Sequence, residues 1–144
     1  MTRTLGIALL VLAVDIQKEM LDIIRQKSKK DGVTNVEPVQ GEEADPKLKN
    51  DSVDVILLVD VYHEFAFPHE MTEKMVKALK PGGRLVFVEF RLEDERVPIK
   101  LVHKMTERQV LKEMAEFKDL KHAGTSDKLP WQHVITFTKQ AAKK

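Results

Sequence analysis

Short apolar runs alternate along the chain with longer segments whose apolar residues recur at helical spacing. The apolar runs predict strands at Ala8–Val14, Val36–Val39, Val53–Val59 and Arg84–Phe90. The third run is nearly continuous in apolar residues, which is typical of a strand covered by helices on both faces. Regular alternation of strand and helix predicts an α/β fold with a mostly parallel sheet, in one domain spanning residues 1–144.

Three helices are predicted between these strands. The first runs from about Gln17 to Lys29, and the second begins at Pro68, where a missing amide hydrogen costs nothing. The second is expected to end at Leu79, because the following Lys80-Pro81-Gly82-Gly83 cannot continue a helix. Thr106-Glu107-Arg108-Gln109 matches a capping box and opens the third helix.

The C-terminal part of the chain has a different pattern. A weak strand is predicted at Leu120–Ala123, and Val134–Thr138 alternates apolar and polar residues. Such alternation indicates a strand with one solvated face, as in an antiparallel hairpin. The hairpin is therefore expected to extend an otherwise parallel sheet.

The N-terminal apolar run Leu5–Val14 has two interpretations. It follows Arg3 and is shorter than the roughly 20 residues that span a bilayer, so it resembles the core of a secretory signal peptide. The alternative is a buried strand ending at Asp15, and this second interpretation is favoured because the pattern continues directly into a helix. The strand interpretation implies a cytoplasmic protein, and the signal interpretation an exported one.

Composition narrows the classes of partner. The 144 residues are 33% charged and 42% hydrophobic, as in folded soluble proteins, and the formal net charge is +1. That balance gives no reason to expect nucleic acid or a membrane as a partner. The chain has no cysteine, which excludes disulfides, thiolate metal ligands and a cysteine nucleophile.

Several motifs, taken in order, resemble one known family from about residue 11 onward. They are Asp15 after the first strand, Asp54 opening a later strand, Asp60–Phe65, Leu79–Leu85 and Leu129–Val134. In this order they resemble class I S-adenosylmethionine (SAM)-dependent methyltransferases of a small-molecule type. The resemblance implies a Rossmann-like three-layer sandwich with a C-terminal antiparallel hairpin, SAM as cofactor and a small-molecule methyl acceptor.

The resemblance also implies contacts with the cofactor. Asp15 would accept hydrogen bonds from the ribose, and Glu42 would lie near the adenine. Backbone groups of Asp60, Val61 and Tyr62 would contact the methionine moiety. The residues alone allow simpler roles, in which Asp15 is an exposed acid near a helix N-terminus and Glu42 lies in a solvated loop.

His63 and Glu64 are the acid–base candidates of the predicted crevice after the third strand. His63 can serve as a general base, because the reference pKa of histidine lies near the working pH. The alternative is that His63 packs or caps locally. No two histidines are spaced one helical turn apart, so no metal site is expected.

One element of the family pattern is missing from the sequence. Complete members begin with a strand and a glycine-rich loop, but the fourteen residues before Asp15 contain one glycine, Gly6. We therefore expect an N-terminally truncated fold, weak SAM binding and unpaired strand edges that favour homo-oligomers. A non-catalytic remnant that acts by protein association is the alternative to an active transferase.

Overall fold

The computed structural model describes residues 9–141, and the chain divides into two compact units at Lys47 and Leu48. Each unit has its own sheet, and a single domain remains a prediction. Residues 1–8, which include Gly6 and the first four residues of the signal-like run, lie outside the described part. The choice between a strand and a leader for those residues also stays a prediction.

Unit 1 is a parallel strand–helix–strand unit. It consists of β1 (Val11–Asp15), α1 (Lys18–Asp31) and β2 (Val36–Gln40), and β1 pairs with β2 in parallel. Gly32 ends α1 in the left-handed conformation, with φ of 67°, and its N–H donates to the Ser28 carbonyl. The predicted strands and helix are confirmed here, with boundaries shifted by at most three residues.

Unit 1 buries little apolar surface within residues 9–47. Leu21 on α1 is fully buried. In contrast, many of the large apolar side chains are exposed: Leu9, Leu10, Val11, Val14, Ile16, Met20, Ile23 and Val33. This unit therefore has only a small core of its own.

Unit 2 is built on a five-stranded mixed sheet. Its strands are β3 (Val53–Val59), β4 (Leu79–Arg91), β5 (Lys104–Met105), β6 (Leu120–Ser126) and β7 (Gln132–Lys139). The order is β3-β4-β7-β6, and β5 also pairs with β4. The pairs β3–β4 and β4–β5 are parallel, whereas β7 is antiparallel to both β4 and β6. The expected C-terminal antiparallel strands are confirmed, and β7 lies inside the sheet with β6 at its edge.

Two helices of unit 2 follow the predicted start signals. α2 (Pro68–Ala78) has its proline in the first turn, and α3 (Glu107–Met114) begins after Thr106. The Thr106 hydroxyl accepts from the Gln109 N–H at 3.0 Å, but the Gln109 side chain donates to Glu113 instead of completing the box. Within residues 9–141, no helix has the length and apolar character needed to cross a bilayer.

The Lys80–Gly83 segment differs from the prediction. α2 ends at Ala78 and β4 begins at once with Leu79, so the segment lies at the start of a strand. The pairing of β3 with β4 shifts register there, between Val53 and Val55. A Cβ on Gly83 would lie 2.8 Å from the Lys80 carbonyl oxygen, and Gly82 has φ of 80°. Both glycines are thus required by a bulged strand start rather than by a helix end.

The core of unit 2 lies on one face of its sheet. It combines inward residues of the strands with the apolar sides of α2 and α3, including Ile56, Leu85, Phe87, Ile135, Phe137, Met71, Met75, Val110 and Met114. Phe87 makes edge-to-face contacts with Tyr62 and Phe137, at centroid distances of 4.9 and 5.8 Å. This packing fixes the carboxyl ends of β3 and β4, where the candidate residues lie.

The unit 2 sheet has β6 at one edge and β3 at the other. β3 pairs with β4 on one side, and no strand of residues 9–141 pairs with its other side. Val55, Leu57 and Val59, which alternate with buried residues along β3, are 44%, 59% and 52% exposed. Within residues 9–141 the outer edge of β3 is thus unpaired, and the homo-oligomer expected from such an edge remains a prediction.

Candidate functional site

A short turn after β3 positions the candidate side chains of unit 2. Asp60 takes the left-handed conformation, with φ of 49°, and its N–H donates to the Val88 carbonyl on β4 at 2.8 Å. One turn of 3-10 helix, Tyr62–Glu64, follows immediately. The chain reversal directs the first amides of this turn toward β4.

Glu89 on β4 forms hydrogen bonds with that turn. Its carboxylate is completely buried; Oε1 accepts from the Tyr62 N–H at 2.9 Å, and Oε2 lies 2.7 Å from His63 Nδ1. Burial raises the pKa of Glu89, and hydrogen bonds from the His63 side chain and from the Tyr62 and His63 amides oppose that rise. A buried carboxylate with several donors holds the turn and the imidazole in one orientation.

His103 approaches the other side of the His63 ring. It ends a single 3-10 turn, Leu101–His103, and its Nδ1 lies 3.3 Å from His63 Nε2. Glu64 Oε1 lies 3.9 Å from each of these two nitrogens. His63, Glu64, Glu89 and His103 together are called the histidine–carboxylate cluster. The sequence prediction named His63 and Glu64 as neighbours in a crevice, and the structure adds Glu89 and His103 to them.

Tyr62 is a wall residue with a fixed hydroxyl. Its side chain is buried between Phe65 and Phe87, and its hydroxyl donates to Glu113 Oε2 at 2.7 Å. Burial, followed by the hydrogen bond and charge of Glu113, raises the pKa of Tyr62 well above its ordinary value. Its backbone N–H and carbonyl already bond to Glu89 and to the Phe65 N–H, so a cofactor contact through this backbone would share those groups.

Asp60 retains an acceptor that fits a cofactor. Its Oδ2 accepts from Gln132 Nε2 at 3.3 Å, whereas Oδ1 is buried and has no hydrogen-bond partner among residues 9–141. A buried carboxylate oxygen without a donor is costly, so this position suits a ligand carrying an ammonium or hydroxyl group. The methionine end of SAM carries such an ammonium. Neighbouring Val61 accepts from the Glu64 N–H within the turn.

Asp15 and Glu42 lie in unit 1. Asp15 ends β1, and its Oδ1 accepts from the Gln17 N–H at 2.7 Å just before α1 begins. Glu42 lies in a turn closed by reciprocal backbone bonds with Asp45 and pairs with Lys47 at 2.9 Å, while its side chain is 67% exposed. Both local arrangements agree with the simpler roles of an exposed acid and a solvated loop, and the cofactor contacts of both residues remain predictions.

His133 is a buried residue that pairs with Glu89 across two neighbouring strands. It lies on β7 directly opposite Glu89 on β4, and its Nε2 has no partner among the described residues. Burial lowers the pKa of His133, although the charges of Glu93, Asp127 and Glu107 act in the other direction. His133 is therefore held as a neutral imidazole.

The sequence prediction missed Glu89 and His103. Glu89 carried a signal in the sequence, whereas His103 did not. Leu85, Phe87 and Glu89 alternate along the inward face of β4, so a carboxylate at this period-two position marks a buried acid that needs partners. His103 lies forty residues after His63 in a charged loop. No local spacing could have brought these two together.

The family of the chain follows from comparison with known proteins. A family model described as a methyltransferase domain matches residues 3–140. The chain belongs to that family. It is a class I SAM-dependent methyltransferase domain with a Rossmann-like α/β fold, as the sequence motifs indicated.

Two curated relatives cover part of this methyltransferase domain. An uncharacterised methyltransferase-like protein of Schizosaccharomyces pombe is 35% identical over 88 residues, which are 61% of this chain and 32% of that protein. The ubiquinone/menaquinone biosynthesis C-methyltransferase UbiE of Vibrio campbellii is 32% identical over 81 residues, which are 56% of this chain and 31% of that protein. The chain thus spans about a third of the length of these curated relatives.

Solved structures show the same fold at low identity. A SAM-dependent methyltransferase from Aquifex aeolicus matches with a TM-score of 0.83 and 22% identity, over 90% of this chain and 69% of that one. The [4+2]-cyclase SpnF matches with a TM-score of 0.75 and 12% identity, over 94% of this chain and 67% of that one. A cyclase among the matches illustrates that this fold hosts more than one reaction, so the chemistry must be argued from the site.

Proposed function

We propose that this methyltransferase domain methylates a small molecule whose reacting atom, such as a hydroxyl oxygen, must lose a proton. The observation that carries the proposal is the fully buried Glu89 carboxylate 2.7 Å from His63 Nδ1. SAM, when bound, supplies a methyl group on a positively charged sulfur. The residues of this chain then have to orient the acceptor and handle its proton.

The hydrogen bond to Glu89 sets the tautomer of His63. An ionised Glu89 accepts from Nδ1–H, which leaves the lone pair of a neutral His63 on Nε2. The acceptor's proton moves to this Nε2, and the resulting imidazolium is stabilised by the carboxylate on its other side. The His63 side chain is only 6% exposed, whereas His103 beside Nε2 is 42% exposed, so the substrate would approach from the side of His103.

Variants distinguish a general-base role of His63 from a role in local packing alone. His63→Ala is expected to lower methyl transfer by 100-fold or more, and Glu89→Gln by a smaller factor, with SAM affinity unchanged. The assay would follow S-adenosylhomocysteine formation with phenols and hydroxylated quinones, because one relative is named for quinone biosynthesis. His122→Ala, an exposed histidine on β6, is the matched control. Equal rates for His63→Ala and His122→Ala would leave His63 with a packing role alone.

The cofactor contacts are assigned to residues in each unit. In unit 2, the buried Oδ1 of Asp60 supports a contact with the ammonium of SAM, next to Val61 and Tyr62. In unit 1, the position of Asp15 at the carboxyl end of β1 supports a contact with ribose, and Glu42 is assigned to adenine. Asp60→Asn and Asp15→Asn are expected to weaken SAM binding at least 10-fold in calorimetric titration, whereas Asp127→Asn, an exposed control, leaves it unchanged.

We also propose that these 144 residues bind SAM weakly by themselves, because no Gly-x-Gly precedes Asp15. In complete members such a loop lets the backbone approach the cofactor closely. Calorimetry on the chain is expected to give a dissociation constant well above the micromolar range. Micromolar affinity would contradict the proposal that the missing loop limits binding.

The exposed apolar row on β3 supports the second candidate function, protein association. Val55, Leu57 and Val59 face solvent on a strand whose outer edge is unpaired in the described chain, and such edges pair readily with other strands. We propose a homo-oligomer through this edge. Leu57→Lys is expected to shift the species seen by light scattering to monomer, while Leu101→Lys, at a similarly exposed position of the 3-10 turn Leu101–His103, does not. A wild-type chain that is monomeric at high concentration would rule out self-association.

A further inference from the structure

We propose that the histidine–carboxylate cluster binds a divalent transition-metal cation through His63 Nε2, His103 Nδ1 and the Glu64 carboxylate. These three groups form a candidate ligand set in the described chain, with all ligand atoms within 4.8 Å of one another. Two imidazoles and one carboxylate are a donor set that suits zinc and iron, and less so magnesium or calcium.

The distances between the three ligand atoms match a metal site. The two nitrogens are 3.3 Å apart, and Glu64 Oε1 is 3.9 Å from each. A point equidistant from the three atoms lies about 2.2 Å from each, close to the roughly 2.0–2.2 Å of zinc–nitrogen and zinc–oxygen bonds. A shift of a few tenths of an ångström in Glu64, whose side chain is exposed, would complete the geometry.

Glu89 supplies the outer support that a metal-binding histidine needs. Histidine ligands usually donate their second ring N–H to a carboxylate, which fixes the tautomer and raises the basicity of the ligating nitrogen. The 2.7 Å contact between His63 Nδ1 and the buried Glu89 is such an arrangement, and it directs the Nε2 lone pair toward His103.

The cation competes with a direct hydrogen bond between the two rings. Without a cation, the 3.3 Å contact allows a ring N–H of His103 to donate to His63 Nε2, and an acceptor hydroxyl would displace this bond to reach the base. With a cation, both nitrogens offer lone pairs, so the His103 proton moves to its Nε2, on a side chain that is partly exposed. The site therefore exists in two tautomeric states, and only the second one holds metal.

Three protein ligands leave at least one coordination position open, as in catalytic zinc sites. For this step the inference rests on the proposed function: the open position would take the acceptor oxygen. A bound cation would lower the pKa of that hydroxyl, so that its proton could leave to water while His63, His103 and Glu64 hold the cation in place. His63 Nε2 is then a ligand, whereas in the metal-free protein the same lone pair is the base.

The experiment is calorimetric titration of Zn²⁺ into the tag-free, chelator-treated chain, without SAM or acceptor. We expect one site with a dissociation constant in the micromolar range or tighter. His103→Ala should weaken it at least 100-fold, and Glu89→Gln about 10- to 100-fold through the outer support. His122→Ala is the matched control and should bind as the wild type does. Circular dichroism checks that each variant remains folded.

The outcomes separate this inference from the proposed function. Zinc affinity that is equal in the wild type, His103→Ala and the double variant His63→Ala/His103→Ala would overturn the metal site. A chain that binds zinc at the cluster but methylates none of the acceptors keeps the metal site and loses the proposed function. Methyl transfer that is unaffected by chelation, together with no zinc binding, removes the metal site and leaves His63 as the base.

Discussion

The two units of the chain differ most in how they bury apolar side chains. In unit 1, Leu21 is fully buried while β1 and α1 expose large apolar residues. In unit 2, β4 lies between β3 and β7, and α2 and α3 add a core that includes Phe87 and Val110. Burial of apolar surface is the main favourable term in folding, so unit 2 is expected to carry most of the stability.

The difference in core size also affects which unit can hold side chains in a fixed geometry. The histidine–carboxylate cluster joins a turn after β3, an inward position of β4 and a loop before β5. A cluster drawn from three elements keeps its geometry only if those elements are packed rigidly. In unit 1, Asp15 and Glu42 have mainly local partners and need no large core to hold them.

The largest expected effect comes from removing a core ring of unit 2. Phe87→Ala should lower the free energy of unfolding by about 3–5 kcal/mol, because it deletes a fully buried aromatic side chain and leaves a cavity. Ile23→Ala on the exposed part of α1 should cost less than about 1 kcal/mol. Denaturant unfolding measures both. Equal costs would mean that the apolar residues of α1 are covered in solution.

Amide hydrogen exchange tests the same comparison without mutation. Amides of β4 and β7 should exchange only through global unfolding, because both strands are paired on two sides. Amides of β1 and β2 should open at a free energy lower by roughly 2 kcal/mol or more. Equal protection across the two sheets would show that the units unfold as one body.

A smaller effect is expected at the start of α3. Thr106→Ala removes the hydroxyl that accepts from the Gln109 N–H, and such caps contribute about 1 kcal/mol. Thr106→Ser keeps an acceptor at the same place and should restore most of the loss in thermal unfolding. If both variants are destabilised alike, the methyl group of Thr106 and not its hydroxyl is what matters.

The smallest effect expected is a pH dependence of stability from His133. Burial lowers its pKa below the ordinary 6.5, so the unfolded chain takes up a proton before the folded chain does. The resulting loss of unfolding free energy is absent above about pH 6.5 and grows as the pH falls toward the lowered pKa of His133 in the folded state. His133→Gln should reduce the loss of unfolding free energy between pH 7.5 and 5. An identical pH profile in both proteins would contradict a buried neutral imidazole.

Much of the secondary structure was readable from local pattern. Val53–Val59 was predicted with its observed bounds, and Pro68 and Thr106 marked the starts of α2 and α3 because proline and threonine act on neighbouring amides. The end of α2 was predicted to within one residue, but the Lys80–Gly83 segment belongs to the start of β4, since proline and glycine end a helix and shape a bulged strand with equal ease. Only the pairing of β4 with β3 separates these two uses.

The sequence by itself determined the order of strands and helices, the methyltransferase motifs and the place of His63 directly after β3. These depend on residues that are neighbours along the chain, where period and turn chemistry act. The tertiary structure alone decided that Glu89 lies behind His63 and that His103, forty residues away, lies 3.3 Å in front of it. Contacts of that kind arise from how strands pair and loops return, and no local preference of either residue encodes them.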